Sequence, residues 1–145
     1  MTAPLSSDER SLLASVLDEL VPPSGDGRLP GAGELGLAAH VDEATRGPGL
    51  RAALVEALAQ LAAQGFAGLA PPEKRARLEA LARQAPAVFD AILLSTYGGY
   101  YHQPRVVEAL GLPPRPPFPQ GYAVAPTDFA LLDPVRRRPP LYRKC

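Results

Sequence analysis

The sequence predicts an all-α fold, a compact bundle of about five short helices over residues 1–112 followed by an extended Pro-rich arm over residues 113–145. Three observations carry that prediction. Apolar residues recur at helical spacing in five stretches. Proline and glycine breakers separate those stretches every 12 to 20 residues or so. No run alternates β-branched residues, and no hairpin dipeptide joins two apolar runs.

Ser6-Ser7-Asp8-Glu9 has the form of a capping box, in which the Ser6 hydroxyl takes the amide of residue 9 and Glu9 reaches back. The helix behind it aligns Leu12, Leu13, Val16, Leu17 and Leu20 on one face. Pro22 and Pro23 end it, because proline lacks the amide hydrogen and disfavours helix in the residue before it. Ser24 to Leu29 reads as a polar loop. Pro30 sits where a proline helps to start a helix, so a second helix is expected from about Ala32 to Thr45, with Leu35, Ala38, Val41 and Asp42 on its inner edge and Gly47-Pro48-Gly49 closing it. A third helix carries Leu50, Leu54, Leu58 and Leu61 and ends at Gln64-Gly65.

Ala70-Pro71-Pro72-Glu73 opens a fourth helix, with Leu78 and Leu81 inward and Lys74, Arg75, Arg77, Glu79 and Arg83 outward, and Pro86 breaks the pattern. A fifth helix, from about Ala87 to Tyr97, holds Val88, Phe89, Ile92, Leu93 and Thr96. Being apolar nearly all round, it is the expected central helix, loosened or ended by Gly98-Gly99.

Nine of the eighteen prolines fall between Pro113 and Cys145, so this segment is expected to be non-helical. Solvated Pro-rich tails are poor in large apolar groups, yet this one holds Phe118, Tyr122, Val124, Phe129, Leu131, Leu132, Val135, Leu141 and Tyr142. The gain from burying them and the cost of ordering the backbone are of similar size. The arm is therefore expected to order only against a surface, with a partner protein preferred over its own helices. Arg136-Arg137-Arg138 would then meet acidic groups at the rim of that contact; a solubilising charge run is an equal reading of the same residues.

Fifteen basic and fifteen acidic residues leave no net charge, which argues against nucleic acid as a partner. No segment approaches the ~18 to 20 apolar residues needed to cross a bilayer, so no direct membrane insertion is expected. Cys145 is the only cysteine, which excludes an intrachain disulfide. Aromatic residues make up 6% of the chain and tryptophan is absent, so the core must be built from leucine, valine and alanine.

Candidate chemistry is sparse. Gly31-Ala32-Gly33-Glu34-Leu35-Gly36 matches the dinucleotide fingerprint letter for letter, but that motif works only where a strand delivers the chain into the turn, and Pro22 to Pro30 precede it here. His40 and His102 are the only histidines, and neither has a second histidine three or four residues away to make a helical metal pair. Ser95 and Thr96 lie on an apolar helix with no nucleophile elbow. Asp18 with Glu19, and Asp42 with Glu43, read most simply as solvated helix faces. No catalytic, cofactor-binding or metal-ligating residue is assigned.

Two blocks do carry a resemblance. One is Leu20-Val21-Pro22-Pro23, then Pro30-Gly31-Ala32, then Asp42; the other is Tyr100, Tyr101, Pro104, Arg105, Leu110 and Gly111, followed by Gly121 and Tyr122. In order and spacing these resemble the small subunit, subunit 3, of gluconate 2-dehydrogenase complexes. The likeness touches most of the first 122 residues. The chain departs from that family in lacking a twin-arginine export signal over Met1 to Leu20, where Arg10 is the one arginine, and in placing Val106-Val107-Glu108 where many members have Gly-Gly-Asn after the Pro-Arg.

The resemblance implies a role without chemistry of its own. Such a subunit holds and matures an FAD-dependent dehydrogenase of the glucose-methanol-choline type, acting on a sugar, sugar acid or alcohol, while a separate cytochrome c subunit takes the electrons. The expected partner is thus a flavoprotein large subunit, with FAD in that partner and no cofactor in this chain. The residues expected to bind it are Tyr100, Tyr101, His102, Arg105, Phe118, Tyr122, Phe129, Leu132, Arg137 and Tyr142. Without an export signal the expected location is the cytoplasm, although relatives are often exported to the periplasm. Two alternatives stand beside this: an independent helical ligand-binding domain or enzyme with a pocket near His40 and His102, and an adaptor that self-associates through its arm.

Overall fold

The structure, a computed structural model, describes residues 3–47, 49–116, 118–119, 121 and 125–139. It is all-α, with no strand among these residues. The chain divides into two units, Met1–Pro114 and Arg115–Cys145.

In the first unit, helix α1 (Ser7–Leu20) begins at the expected capping box. The Ser6 amide donates to Glu9 Oε2 at 2.8 Å, and the Glu9 amide donates to Ser6 Oγ at 3.3 Å. The Ser6 amide and hydroxyl hold the Glu9 carboxyl below its usual range. Leu13, Val16 and Leu17 are buried from the predicted face. Helix α3 (Leu50–Ala63) buries Leu54, Leu58 and Leu61 of its leucine stripe. A single 3₁₀ turn, Phe66–Gly68, places the fully buried Phe66 beneath α1 and α3. Helix α4 (Pro71–Gln84) turns Leu78 and Leu81 inward, and helix α5 (Pro86–Tyr101) turns in Val88, Ile92, Thr96, Gly99 and Tyr100. Both α1 and α5 pack on α3, α4 and a short helix α2 (Ala38–Ala44), which places the core between them.

Five expectations are corrected. Helix α2 spans only Ala38–Ala44, six residues later than expected. Residues 32 to 37 instead form consecutive turns, because the Asp18 carboxylate accepts the Gly33 amide at 2.7 Å and the Glu34 amide at 3.3 Å, and Gly36 takes a positive φ of 72°. Helix α5 does not stop at Gly98-Gly99 but runs one turn further. A Cβ on Gly99 would lie 2.8 Å from His40 Cδ2 and 3.2 Å from Leu37 Cδ2, so this glycine lets α2 close on α5. A sixth helix, α6 (Pro104–Ala109), follows; at six residues its period is too short to stand out.

The fourth correction concerns carboxylates. Asp18 and Asp42 are not solvated partners of Glu19 and Glu43. Asp42 is buried, takes the Leu5 amide at 3.2 Å and pairs with the equally buried Arg51, whose guanidinium also donates to the Asp42 carbonyl at 2.9 Å. One side chain thereby ties the N-terminal segment, α2 and the first turn of α3. Breaking such a pair from one side costs about 3 to 5 kcal/mol, because the other charge stays buried. Glu19 is itself half-buried against Lys74 at 3.5 Å, and Lys74 in turn lies over the Phe66 ring, 5.7 Å from its centroid.

The second unit is not wholly extended either. Phe129–Leu132 forms a 3₁₀ turn capped by Asp128, which accepts the Ala130 amide at 2.9 Å, and Asp133–Arg136 continues as helix α7. The reason lies in the proline spacing: residues 127 to 133 carry none, and Pro134 falls in a first turn, where its missing amide costs nothing.

Candidate partner-binding site

The corner between α5 and α6 is built by Pro104. It holds Gln103 extended, at φ −70° and ψ 126°, and starts α6 as its first residue, so α5 must end just before. The last carbonyls of α5 are then met by side chains. His102 Nδ1 lies 2.5 Å from the Gly98 carbonyl and Gln103 Nε2 donates to the Gly99 carbonyl at 3.3 Å. Because a carbonyl only accepts, the first contact places a proton on Nδ1.

This corner is fixed to the Leu20–Asp42 stretch. The Tyr100 hydroxyl donates to the Pro30 carbonyl at 2.9 Å, 70 residues away in sequence. Arg105 reaches Glu34 at 3.4 Å, Gly99 receives His40, and Arg28 of the polar loop donates to the Ala109 carbonyl at 2.5 Å. Gly31 and Gly33 make the stretch fit, since a Cβ on either would overlap Asp18, and one on Gly33 would also overlap the Ala14 carbonyl. The Gly-x-Gly is thus a packing device against α1. The first block of the resemblance and the Tyr100–Gly111 part of the second are in contact.

Of the ten residues expected at a partner interface, eight are described and fall into three groups. Tyr100 is only 2% exposed, and burial pushes its phenol up from the ordinary value, so it supports the corner from within. Tyr101, His102 and Arg105 are exposed beside one another, with Tyr101 edge-on to Tyr100 at a centroid distance of 5.3 Å. In the second unit Phe118, Phe129, Leu132 and Arg137 are exposed, as are Leu131 and Val135. Tyr122 and Tyr142 lie outside the described residues.

The sequence reading missed two members of the surface. Leu94 is 70% exposed and Tyr97 41%, and they continue the line of Tyr101, whose ring lies 6.4 Å from that of Tyr97. Their signal was the all-round apolar character of α5, which was read as enclosure in the core when part of it is an outward apolar face.

Chemically the corner offers hydrogen-bonding and stacking groups but no nucleophile paired with a base. Among the described residues no three of His, Cys, Asp and Glu come together as a metal set. His40 lies against Gly99, and His102 lies against the adjacent Gly98 carbonyl. An apolar hollow of about 440 Å³ lies elsewhere, between α1 and the Phe66 turn, lined by Leu12, Ala62 and Phe66 with Asp8 and Glu9 at its edge. No described helix is long and apolar enough to cross a membrane.

Set against known proteins, the chain matches no family model, no curated protein and no solved structure.

Proposed function

We propose that this chain is a non-catalytic accessory subunit that binds, stabilises or matures an FAD-dependent dehydrogenase of the glucose-methanol-choline type. The observation that carries the reading is the clamp between the Leu20–Asp42 stretch and the α5–α6 corner, made by Tyr100 on Pro30 and Gly99 on His40. It holds Tyr101, His102 and Arg105 outward beside an exposed apolar line. Exposed aromatic and arginine side chains on a rigid frame suit protein recognition, because they bury large areas at little entropic cost. The exposed Phe118, Phe129, Leu132 and Arg137 offer the same chemistry in the arm.

In this reading the chain carries no cofactor, the flavin resides in the partner, and a cytochrome c subunit is reached only through the complex. The cytoplasm is the proposed compartment, which fractionation of the host tests. The direct experiment is purification of the tagged chain from its native host, with flavin absorbance and co-eluting chains as readouts. A stoichiometric yellow complex with one large flavoprotein, weakened by Tyr101→Ser and Arg105→Glu, is the expected result. A colourless single chain would count against the proposal.

A further inference from the structure

The solvent side of α5 carries Ala87, Asp90, Leu94, Tyr97, Gly98 and Tyr101. Asp90 is the only charge on it. Leu94, Tyr97 and Tyr101 form one apolar line, and nothing lies within 4 Å of the place a Cβ on Gly98 would occupy. An occupant of this face must be apolar at its middle and able to approach closely at Gly98. The exposed Asp90 at one end favours a cation, and the exposed Arg105 beyond the other end favours an anion. The face itself meets that description when it is reversed.

We propose that, in the free protein, α5 forms a two-fold antiparallel pair with α5 of a second copy of this chain. With the axis between residues 97 and 98, Leu94 of one copy faces Tyr101 of the other, and Tyr97 of each lies over Gly98 of the other. Asp90 of each is then directed at the corner bearing His102 and Arg105. Such a contact is isologous, so every favourable pair occurs twice. The glycine at the crossing lets the axes approach toward the lower end of the usual ~8 to 10 Å range. Arg105 is available for the exchange, because its present partner Glu34 forms an exposed pair with it at 3.4 Å, and such pairs contribute little.

The apolar line from Leu94 to Tyr101 is about 10 Å long at the helical rise. A contact of this size falls well below the ~800 Å² per partner of stable assemblies, so the pair dissociates on dilution. This goes beyond the accessory-subunit reading, since it concerns the chain alone. It also makes a prediction about that reading: a partner that takes Tyr101 and Arg105 must displace the second copy.

Sedimentation velocity of the purified full chain over a wide concentration range, at low salt, tests the proposal. A concentration-dependent monomer–dimer equilibrium is expected, with Leu94→Arg monomeric throughout; circular dichroism verifies that the variant is folded, and Tyr97→Arg replaces it if it is not. Asp90→Arg and Arg105→Asp should each weaken the dimer by roughly two- to tenfold, and the double variant should recover it. For register, Leu94→Cys mixed with Tyr101→Cys, both in a Cys145→Ser background, should cross-link well, whereas Leu94→Cys alone should not. A monomer at every concentration, a dimer indifferent to Leu94→Arg, or preferential cross-linking of Leu94→Cys to itself would each overturn it. None of these outcomes depends on a flavoprotein, so failure here and failure of the accessory-subunit reading are separable.

Discussion

Helices α4 and α5 are neighbours of similar length, each starts on a proline, and each turns a narrow apolar edge into the same core. Their outer faces differ completely. That of α4 carries Glu73, Arg75, Arg77, Glu79 and Arg83, whereas that of α5 carries Leu94, Tyr97 and Tyr101 with Asp90 as its one charge. Nothing in the core requires the difference, because Leu78 and Leu81 on one helix and Val88 and Ile92 on the other perform the same task. A helix apolar on every side is enclosed on every side only in a large protein. A bundle of 114 residues has too little volume to enclose one, so the surplus apolar face is exposed.

The comparison can be tested from the inside outward. Leu78→Ala on α4 and Ile92→Ala on α5 should each lower stability by about 2 to 5 kcal/mol in denaturant titrations, since both remove buried methyl groups from one core. Unequal losses of more than about 2 kcal/mol would break the claim that the inner edges are equivalent. Gly99→Val should cost about 1 to 3 kcal/mol by driving α5 away from His40 and Leu37.

Tyr100→Phe should cost about 1.5 kcal/mol at neutral pH by leaving the buried Pro30 carbonyl unpaired. The same variant has an alkaline signature. Burial raises the folded phenol above its ordinary value near 10. Its contribution is therefore complete below that value, and is lost as pH rises from there toward the folded value, because the unfolded chain releases its proton first. Between about pH 9 and 11 the wild type should lose more stability than Tyr100→Phe does, as denaturant midpoints would reveal.

Smaller effects sharpen the picture. Gly98→Ala should add about 0.5 to 1 kcal/mol, the opposite sign from its neighbour Gly99, because nothing opposes the added methyl and helix propensity improves. Leu94→Ser and Arg75→Ser should each change stability by less than about 0.5 kcal/mol, as expected for exposed positions. On stability alone the two outer faces are expected to be equivalent, so an association measurement is needed to separate them.

What the sequence revealed follows from how far each interaction reaches. The Ser6 to Glu9 capping box and the leucine stripe of α3 are local, fixed by spacings of three or four residues, and were legible. The late start of α2 was not, because it depends on Asp18 taking amides 15 and 16 residues away. Nor was the burial of Asp42, which depends on Leu5, 37 residues away, and on Arg51. Gly98-Gly99 read as a helix end because a glycine pair lowers helix propensity; the close approach of α2 that Gly99 permits is a tertiary fact. At the candidate site, Tyr101, His102 and Arg105 were legible as a short aromatic and basic cluster. Tyr100 was grouped with them because burial does not show in a run of two tyrosines. Leu94 and Tyr97 were hidden by the assumption that apolar means enclosed.

The central claim is that the outer face of α5 is an interface and that of α4 is not. The most direct test places the same charge on each, as Leu94→Arg and Ala76→Arg, at two exposed positions, and purifies wild type and both variants from the native host with bound flavin as the readout. The account predicts equal flavin with wild type and Ala76→Arg, and none with a folded Leu94→Arg protein. Equal flavin with all three, or none with any, would contradict it.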